Sequence, residues 1–411
     1  MDVDLQALAR LPWRQRITES FAYFSAGRQA GAAAAGNQPG VWEVFRYDEA
    51  VRVLSAPETF SNDFSAFIPK DELLLAAVAQ GNLAGMDPPR HRRLRSLVNK
   101  AFTPREVAAL TSKIEKKARL LLEDALAATS TEGEIDVVRE FASPLSATTI
   151  AELFGVPASD QPDFWRWSDA MLGARPQGSL GVPDEEAMRR KAAIVLEAGQ
   201  YLLAHIDHLR AHPGEDLTSR LTTAEVDGER LSDEEILGLI GMFLIAGHLP
   251  TSAWIGNTVM CLDEHPRVAD GLAGDLSTLP AVLEEVLRWR PPLTRDQRIT
   301  KRDTELAGGL EVPAGAMVVV WIASANRDPE QFATPDVFDP HRSQPVQHLT
   351  LGKGVHFCIG SPLARLEARI AMETLLEHCP RPAVVRHDDI EFHSSIGVLG
   401  PVRLPISLRG A

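Results

Sequence analysis

The sequence predicts a single domain that is mainly α-helical with a minor β component. Most segments between residues 48 and 382 carry helical patterns that prolines punctuate. Short alternating β patterns precede this region at residues 41–45 and return near residues 311–322 and 390–408. The sequence shows no internal repeat and no long linker, so we expect one domain over residues 1–411. Residues 1–40 are its N-terminal segment, and residues 41–411 are the body that carries the motifs.

The first elements follow from local signals. Residues 31–40 are rich in alanine and glycine and indicate a loop, after which residues 41–45 alternate like a strand. Asp87 and the prolines behind it predict the start of a helix, because Asp caps a helix and an early proline fits its first turn. His91 and Arg95 are four residues apart in this helix and therefore share a face.

A long buried helix is predicted from Ser232 to about Asp263. Ser232 and Glu235 have the spacing of a capping box, and Pro266 marks the far end. Residues 236–245 are apolar nearly all round, which is typical of a buried helix. A helix of roughly 30 residues is about 45 Å long, so it can traverse the molecule.

Composition indicates an ordinary globular protein. The chain is 45% hydrophobic and 24% charged, and its net charge of −14 argues against a nucleic-acid partner. No signal-peptide pattern and no run long enough to span a bilayer occur in the sequence. The cysteines Cys261, Cys358 and Cys379 are odd in number and scattered, which argues against a disulfide framework. We therefore expect a soluble cytoplasmic protein without a membrane partner.

The densest chemical pattern is the glycine-rich segment around Cys358. Gly352, Gly354 and Gly360 permit a tight loop with positive φ angles and the close approach of a flat ligand. Pro362 marks the first turn of a following helix, and a helix N-terminus lowers the pKa of a nearby thiol. A thiolate is the proximal ligand that favours O–O cleavage on a haem iron.

The three cysteines also permit other interpretations. Cys261 and Cys379 are expected to be small buried hydrophobic residues. A nucleophile pair of Cys358 with His356 is conceivable, but it lacks a third group that would orient the histidine.

The segment resembles the haem-binding loop of the cytochrome P-450 superfamily, whose usual form is FxxGxxxCxG. Gly354, Cys358 and Gly360 match this form, and Leu351 stands where the aromatic residue normally lies. The resemblance covers roughly residues 41–404 and implies a single-domain cytochrome P-450 fold, with the long helix over a haem b. It makes Cys358 the iron ligand and implies further cofactor contacts at Leu351, Gly352, His356 and Gly360.

Further motifs follow in the order that this family requires. A helix that begins at Pro280 carries Glu285 and Arg288, three apart and able to pair. The resemblance assigns this pair and Arg342 to a structural set. It also implies propionate contacts, since carboxylates beside a haem need cationic partners; the implied contacts are His91, Arg95, Arg298 and His356.

The long helix departs from the family at its centre. The family has AGxETT or AGxDTT there, whereas this chain has Leu249 in place of the acid and Pro250 in place of the first threonine. We expect a kink at Pro250 that frees the Ala246 carbonyl to hold a water. Protons are then expected from ordered water or from the substrate. The alternative is that Pro250 only bends the helix and Thr251 or Ser252 supplies the hydroxyl. The catalytic candidates are Ala246, Gly247, Leu249, Pro250 and Thr251.

The resemblance implies a monooxygenase of secondary metabolism that takes O2 and a medium-sized, largely apolar small molecule. Ferredoxin and ferredoxin reductase are the expected electron donors, docking on a basic surface, and the protein is expected to be a monomer. Radical coupling, desaturation or peroxide-driven oxidation is the alternative chemistry, and a non-catalytic haem sensor is a third possibility. The implied pocket segments are residues 64–83, 165–181, 243–251, 292–296 and 394–399. The predicted basic surface comprises Arg90, Arg92, Arg93, Arg95, Lys100 and Lys353.

Overall fold

The computed structural model of the chain describes residues 4–65, 81–128, 133–173, 185–226, 228–342 and 347–408. These residues are mainly α-helical with small β-sheets, as the sequence predicts. The α-helices, numbered in chain order, are α1 Leu5–Ala9, α2 Trp13–Ala30, α3 Tyr47–Ser55, α4 Arg90–Val98, α5 Pro104–Ala108, α6 Thr111–Ala128, α7 Ser143–Leu153, α8 Gln161–Gly173, α9 Glu185–Ala211, α10 Leu217–Thr223, α11 Asp233–Ala246, α12 Leu249–Glu264, α13 Pro266–Gly274, α14 Leu279–Trp289, α15 Ile322–Ala325 and α16 Ser361–His378.

The strands are short and form several small sheets. They are β1 Ala33–Ala35, β2 Val41–Val44, β3 Phe60–Ser61, β4 Glu134–Asp136, β5 Glu225–Val226, β6 Glu229–Arg230, β7 Asp296–Thr300, β8 Thr304–Leu306, β9 Leu310–Val312, β10 Met317–Val320, β11 Ala383–Val384, β12 Glu391–Phe392, β13 Pro401–Arg403 and β14 Pro405–Ser407. The largest sheet has the order β1-β2-β10-β7-β3, with β10 parallel to β2 and antiparallel to β7. The predicted strand at residues 41–45 and the predicted β pattern near residues 311–322 therefore pair in one sheet, whereas the strands of residues 390–408 belong to two other sheets.

The chain divides into two compact units. The first unit comprises Met1–Ser61, Glu115–Ala142 and Pro250–Ala411, and the second comprises Asn62–Ile114 and Ser143–Leu249. That residues 1–411 form a single domain stays a prediction.

An apolar core in the first unit supports the start of the cysteine loop. Val44, Val318 and Val320 from the sheet, Leu54 from α3 and Leu349 belong to one buried cluster. Each of them is at most 2% exposed. Burial of Leu349 removes apolar surface from water and so fixes the point where the loop leaves the core.

The long apolar stretch behaves as a core helix. Asp233–Glu264 is the one stretch among the described residues that is long and apolar enough to cross a membrane, with a mean hydropathy of 1.6. Within its most apolar window, 72% is buried inside the protein. The predicted capping box is present, because Ser232 and Glu235 each bond the other's backbone N–H through their side chains.

Candidate active site

Backbone hydrogen bonds close the loop that carries Cys358. The Cys358 N–H donates to the Leu351 carbonyl at 2.8 Å, and the Cys358 carbonyl accepts from the Ser361 N–H at 3.3 Å. Between these contacts lies a 3₁₀ turn, Gly354–His356. Cys358 is therefore held directly before the N-terminus of α16, as the sequence predicts.

The three glycines of the loop serve different purposes. Gly352 and Gly354 have φ angles of 76° and 70°, which L side chains rarely adopt. A Cβ on Gly354 would also lie 3.0 Å from the Leu54 carbonyl oxygen and from the Ser55 Cα. Gly360 instead has a φ of −79°, and no described atom lies within 4 Å of the Cβ it lacks. Gly360 thus leaves open space beside the cysteine rather than permitting a positive φ.

These differences predict that alanine substitutions at Gly354 and Gly360 affect different properties of the protein. Gly354→Ala combines left-handed strain with a backbone clash, so it should lower the free energy of unfolding by about 1–3 kcal/mol. Gly360→Ala should change that free energy by less than about 0.5 kcal/mol in the haem-free protein. It should weaken haem retention, because its methyl group enters the open space. Thermal unfolding and haem transfer to apomyoglobin measure the two effects; equal destabilisation by both substitutions would contradict the assignment.

Arg298 fits a haem propionate. Its side chain is 1% exposed, and Nη1 donates to the Gln297 carbonyl at 2.6 Å and lies 2.8 Å from Asp296 Oδ1. Its buried Nη2 has no hydrogen-bond partner among the described residues. A buried guanidinium N–H without an acceptor is costly, and a carboxylate would satisfy it. Arg298 and the open space at Gly360 are therefore suited to haem. His356 lies in the 3₁₀ turn of the same unit.

His91 and Arg95 lie on α4 in the second unit. His91 is 1% exposed, and burial followed by the positive charge of Arg95 lowers its pKa to about 4. The imidazole is therefore neutral at pH 7 and has one N–H to donate. That these two residues contact the propionates stays a prediction.

The long helix is disturbed where Pro250 predicts, four residues before the proline, but the disturbance is a two-residue turn rather than a bend. Helix α11 ends at Ala246, a turn occupies Gly247 and His248, and α12 begins at Leu249. A Cβ on Gly247 would overlap the Ile150 side chain and lie 2.9 Å from the Phe243 carbonyl oxygen. The break thus lies where α7 approaches a glycine closely. Pro250 stands in the first turn of α12, where a missing N–H costs little.

His248 is the polar residue of this break, and the sequence motifs gave it no role. It is 2% exposed, and each ring nitrogen lies 2.6 Å from a serine hydroxyl: Nε2 from Ser143 Oγ and Nδ1 from Ser168 Oγ. Ser168 Oγ donates to the Leu244 carbonyl at 2.9 Å, and the Trp165 indole N–H donates to Ser143 Oγ at 3.3 Å.

The donor and the acceptor of each of these hydrogen bonds can be assigned consistently. Because the Ser168 hydroxyl hydrogen goes to a carbonyl, Ser168 Oγ accepts from Nδ1–H of His248. With that tautomer, Nε2 is the acceptor for the Ser143 hydroxyl hydrogen. Trp165 is 37% exposed, so this series of hydrogen bonds runs from the surface of the second unit to a buried imidazole.

The other residues of the long helix that were predicted to take part in proton delivery are apolar or buried. Leu249 is 7% exposed and has no titratable group, while Thr251 and Ser252 are each 5% exposed. Ala246 and Leu249 belong to the second unit, and Pro250 and Thr251 to the first.

Two of the predicted pocket segments lie side by side in the first unit. Thr294 donates its N–H to the Gly397 carbonyl at 3.1 Å and its hydroxyl to the Ile396 carbonyl at 2.6 Å. Leu293 forms a β-bridge with Val398 and is 38% exposed. Residues 66–80 and 174–181 of the other predicted segments lie outside the described residues.

The buried Arg16 fixes the second of these two segments. It donates to the carbonyls of His393, Ser395 and Val398, the last at 2.6 Å. One side of the predicted pocket is therefore rigid.

The remaining cysteines behave as expected. Cys261 and Cys379 are buried thiols that form no disulfide, and burial raises the pKa of Cys261 to about 12. Within the described ranges, no cluster of three or more His, Cys, Asp or Glu residues could hold a metal ion.

Comparisons with known proteins agree with this site. The family model Cytochrome P450 matches residues 185–390. Erythromycin C-12 hydroxylase of Saccharopolyspora erythraea is 42% identical over 370 residues, 89% of each chain. Cyclomarin C epoxidase CymV of Salinispora arenicola is 38% identical over 369 residues, 90% of this chain and 91% of that one. The open structure of P450 Eryk from S. erythraea has a TM-score of 0.85 at 39% identity and covers 95% of both chains.

Proposed function

The chain belongs to the cytochrome P450 family and is a haem b monooxygenase, and we propose that it oxidises a macrocyclic secondary metabolite with an apolar face. Cys358, held before α16, is the observation that carries the assignment. The bound haem supplies the activation of O2. Cys358 would be its thiolate ligand, and Arg298, whose buried Nη2 has no partner among the described residues, would hold a propionate carboxylate.

Two observations support a macrocyclic substrate. Relatives at 42% and 38% identity are named for oxidising erythromycin and cyclomarin C. The half-exposed Leu293 and the neighbouring Val398 offer an apolar surface on a rigid loop, and binding sites for such molecules are mostly apolar and pre-formed.

We further propose that protons arrive through water and that His248 helps to supply them. Leu249 can neither hold nor pass a proton, whereas the adjacent His248 has two ring nitrogens, each within hydrogen-bond distance of a serine hydroxyl. A substrate hydroxyl can contribute as well.

Electrons are proposed to come from a ferredoxin and its reductase in the cytoplasm, with the enzyme acting as a monomer. Arg92 on α4 and Lys353 in the cysteine loop are exposed cations that would attract an acidic partner. The net positive charge of the predicted basic surface is smaller than its sequence indicates. Glu235 lies 3.6 Å from Arg90 and 3.9 Å from Arg93, and so offsets part of their charge.

A binding and turnover experiment tests the substrate class. We expect an erythromycin-type macrolide or a cyclic peptide to shift the haem spin state, and a linear fatty acid of similar mass to shift it far less. With NADPH, ferredoxin and reductase, the product should gain one oxygen atom from labelled O2. A coupled or desaturated product without added oxygen would support the alternative chemistry. Turnover of the fatty acid alone would reject the macrocycle.

A further inference from the structure

A charged cluster surrounds the cysteine loop in the first unit. The Glu284 carboxylate on α14 accepts two hydrogen bonds from Arg365 on α16, Nε to Oε1 at 2.7 Å and Nη2 to Oε2 at 3.0 Å. The same carboxylate accepts from His348 Nε2 at 3.2 Å, and His348 lies at the start of the loop. Helix α14, helix α16 and the start of the cysteine loop therefore meet at one carboxylate.

The hydrogen positions and charges of the three residues in this cluster can be assigned. His348 Nδ1 accepts the Thr350 N–H at 3.3 Å, so its hydrogen is on Nε2, where it donates to Glu284. Burial would raise the pKa of Glu284, but the bonds from His348 and Arg365 outweigh it and bring the pKa to about 2. The carboxylate is ionised and bonds a permanently charged guanidinium in bidentate geometry.

Arg365 lies in the second turn of α16, the helix that begins three residues after Cys358, so its charge is close to the iron ligand. The pKa of Arg365 is raised, first by its bond to Glu284, and also by a thiolate charge at Cys358. Arg365 and Glu284 are 41% and 28% exposed, so their ion pair contributes little to folding stability. The pair is therefore better suited to act on the neighbouring thiolate than to hold the fold together.

We propose that the Glu284–Arg365 pair, oriented by His348, sets the reduction potential of the haem through its field at Cys358. These are positioning residues, and the proposal rests on the haem-thiolate function stated above. It concerns a network distinct from the buried structural set, in which Glu285 pairs with Arg288 at 2.7 Å and with Arg342 at 3.1 Å.

The sign of each effect follows from Coulomb's law. Reduction adds negative charge to the iron–thiolate centre, so a nearby cation favours the reduced state and a nearby anion opposes it. Arg365→Gln removes the cation and leaves Glu284 uncompensated, which should lower the potential. Glu284→Gln frees Arg365 from its counter-charge, which should raise it. Because the two changes oppose each other, the double variant should return close to wild type.

The test is spectroelectrochemical titration of these three holoenzymes and of Arg365→Lys, which retains the charge. The CO-difference spectrum of each reports whether thiolate ligation survives. The control is the neighbouring pair on α16, Arg369 and Glu373, whose Nη1 and Oε1 are 2.8 Å apart. Arg369 and Glu373 are 38% and 30% exposed, close to the test pair, and lie about one and two turns beyond Arg365 along the helix. Their glutamine variants should shift the potential less than those of the test pair.

Opposite shifts for the two single variants support the proposal. Shifts in the same direction with loss of the thiolate CO band would show that the cluster only shapes the loop. Unchanged potentials with an intact band, or equal shifts at the control pair, would also overturn it. A wild-type protein without a thiolate band would instead refute the haem-thiolate function itself, so the two failures are distinguishable.

Discussion

Cys358→Ala is expected to abolish the red-shifted Soret band of the ferrous CO adduct and to reduce monooxygenase turnover to background. The substitution removes the thiolate that the loop holds before α16, and neither alanine nor a water can donate electron density as a thiolate does. The CO-difference spectrum of the purified variant measures the first effect, and product formation with ferredoxin and reductase measures the second.

The other two cysteines provide matched controls. Cys261→Ala and Cys379→Ala should keep the band, because both thiols are buried and the pKa of Cys261 is about 12. The Cys379 thiol is also used locally, since its Sγ donates to the Ser407 carbonyl at 3.5 Å. An imidazole-like CO spectrum from the wild type, or loss of the thiolate band in either control, would contradict the assignment of Cys358.

Local signals predicted the parts of the site that depend on a few consecutive residues. The capping box at Ser232 and Glu235, the positive φ angles of Gly352 and Gly354 and the position of Cys358 before a helix all require only short-range chemistry. For the same reason the family motif could be recognised around the cysteine.

Pro250 predicted a disturbance of the long helix at the Ala246 carbonyl, and α11 ends at Ala246, but the packing around the turn could not be predicted in this way. At the turn, Ile150, which lies about a hundred residues before Gly247 in the sequence, packs where a Cβ of Gly247 would stand. Pro250 was the visible helix breaker, yet it occupies a position that tolerates proline. The bonds of His248 to Ser143 and Ser168 span 105 and 80 residues, so no spacing in the sequence reveals them.

The helix break changes what a restored acid–alcohol pair should do. Because Pro250 stands in the first turn of α12, replacing it does not have to repair a kink. Leu249→Glu with Pro250→Thr should therefore supply a proton donor without rebuilding the helix. General acid steps typically contribute ~100-fold or more. We expect up to that increase in turnover for substrates without a hydroxyl of their own, and less peroxide released per electron.

The Leu249→Glu, Pro250→Thr double variant is also the protein in which the role of His248 is best tested. If His248 supplies protons in the native chain, His248→Gln should slow turnover by ~10- to 100-fold and increase peroxide release. Glutamine can still donate and accept hydrogen bonds at Ser143 and Ser168 but cannot carry a proton. In the Leu249→Glu, Pro250→Thr background the same substitution should have a much smaller effect, because protons then have another route. Turnover, peroxide release and the solvent isotope effect of the four proteins, with thermal unfolding as the control for folding, measure this coupling. Equal losses in both backgrounds, accompanied by a lower unfolding temperature, would show that His248 only clamps α7 and α8 to the end of α11.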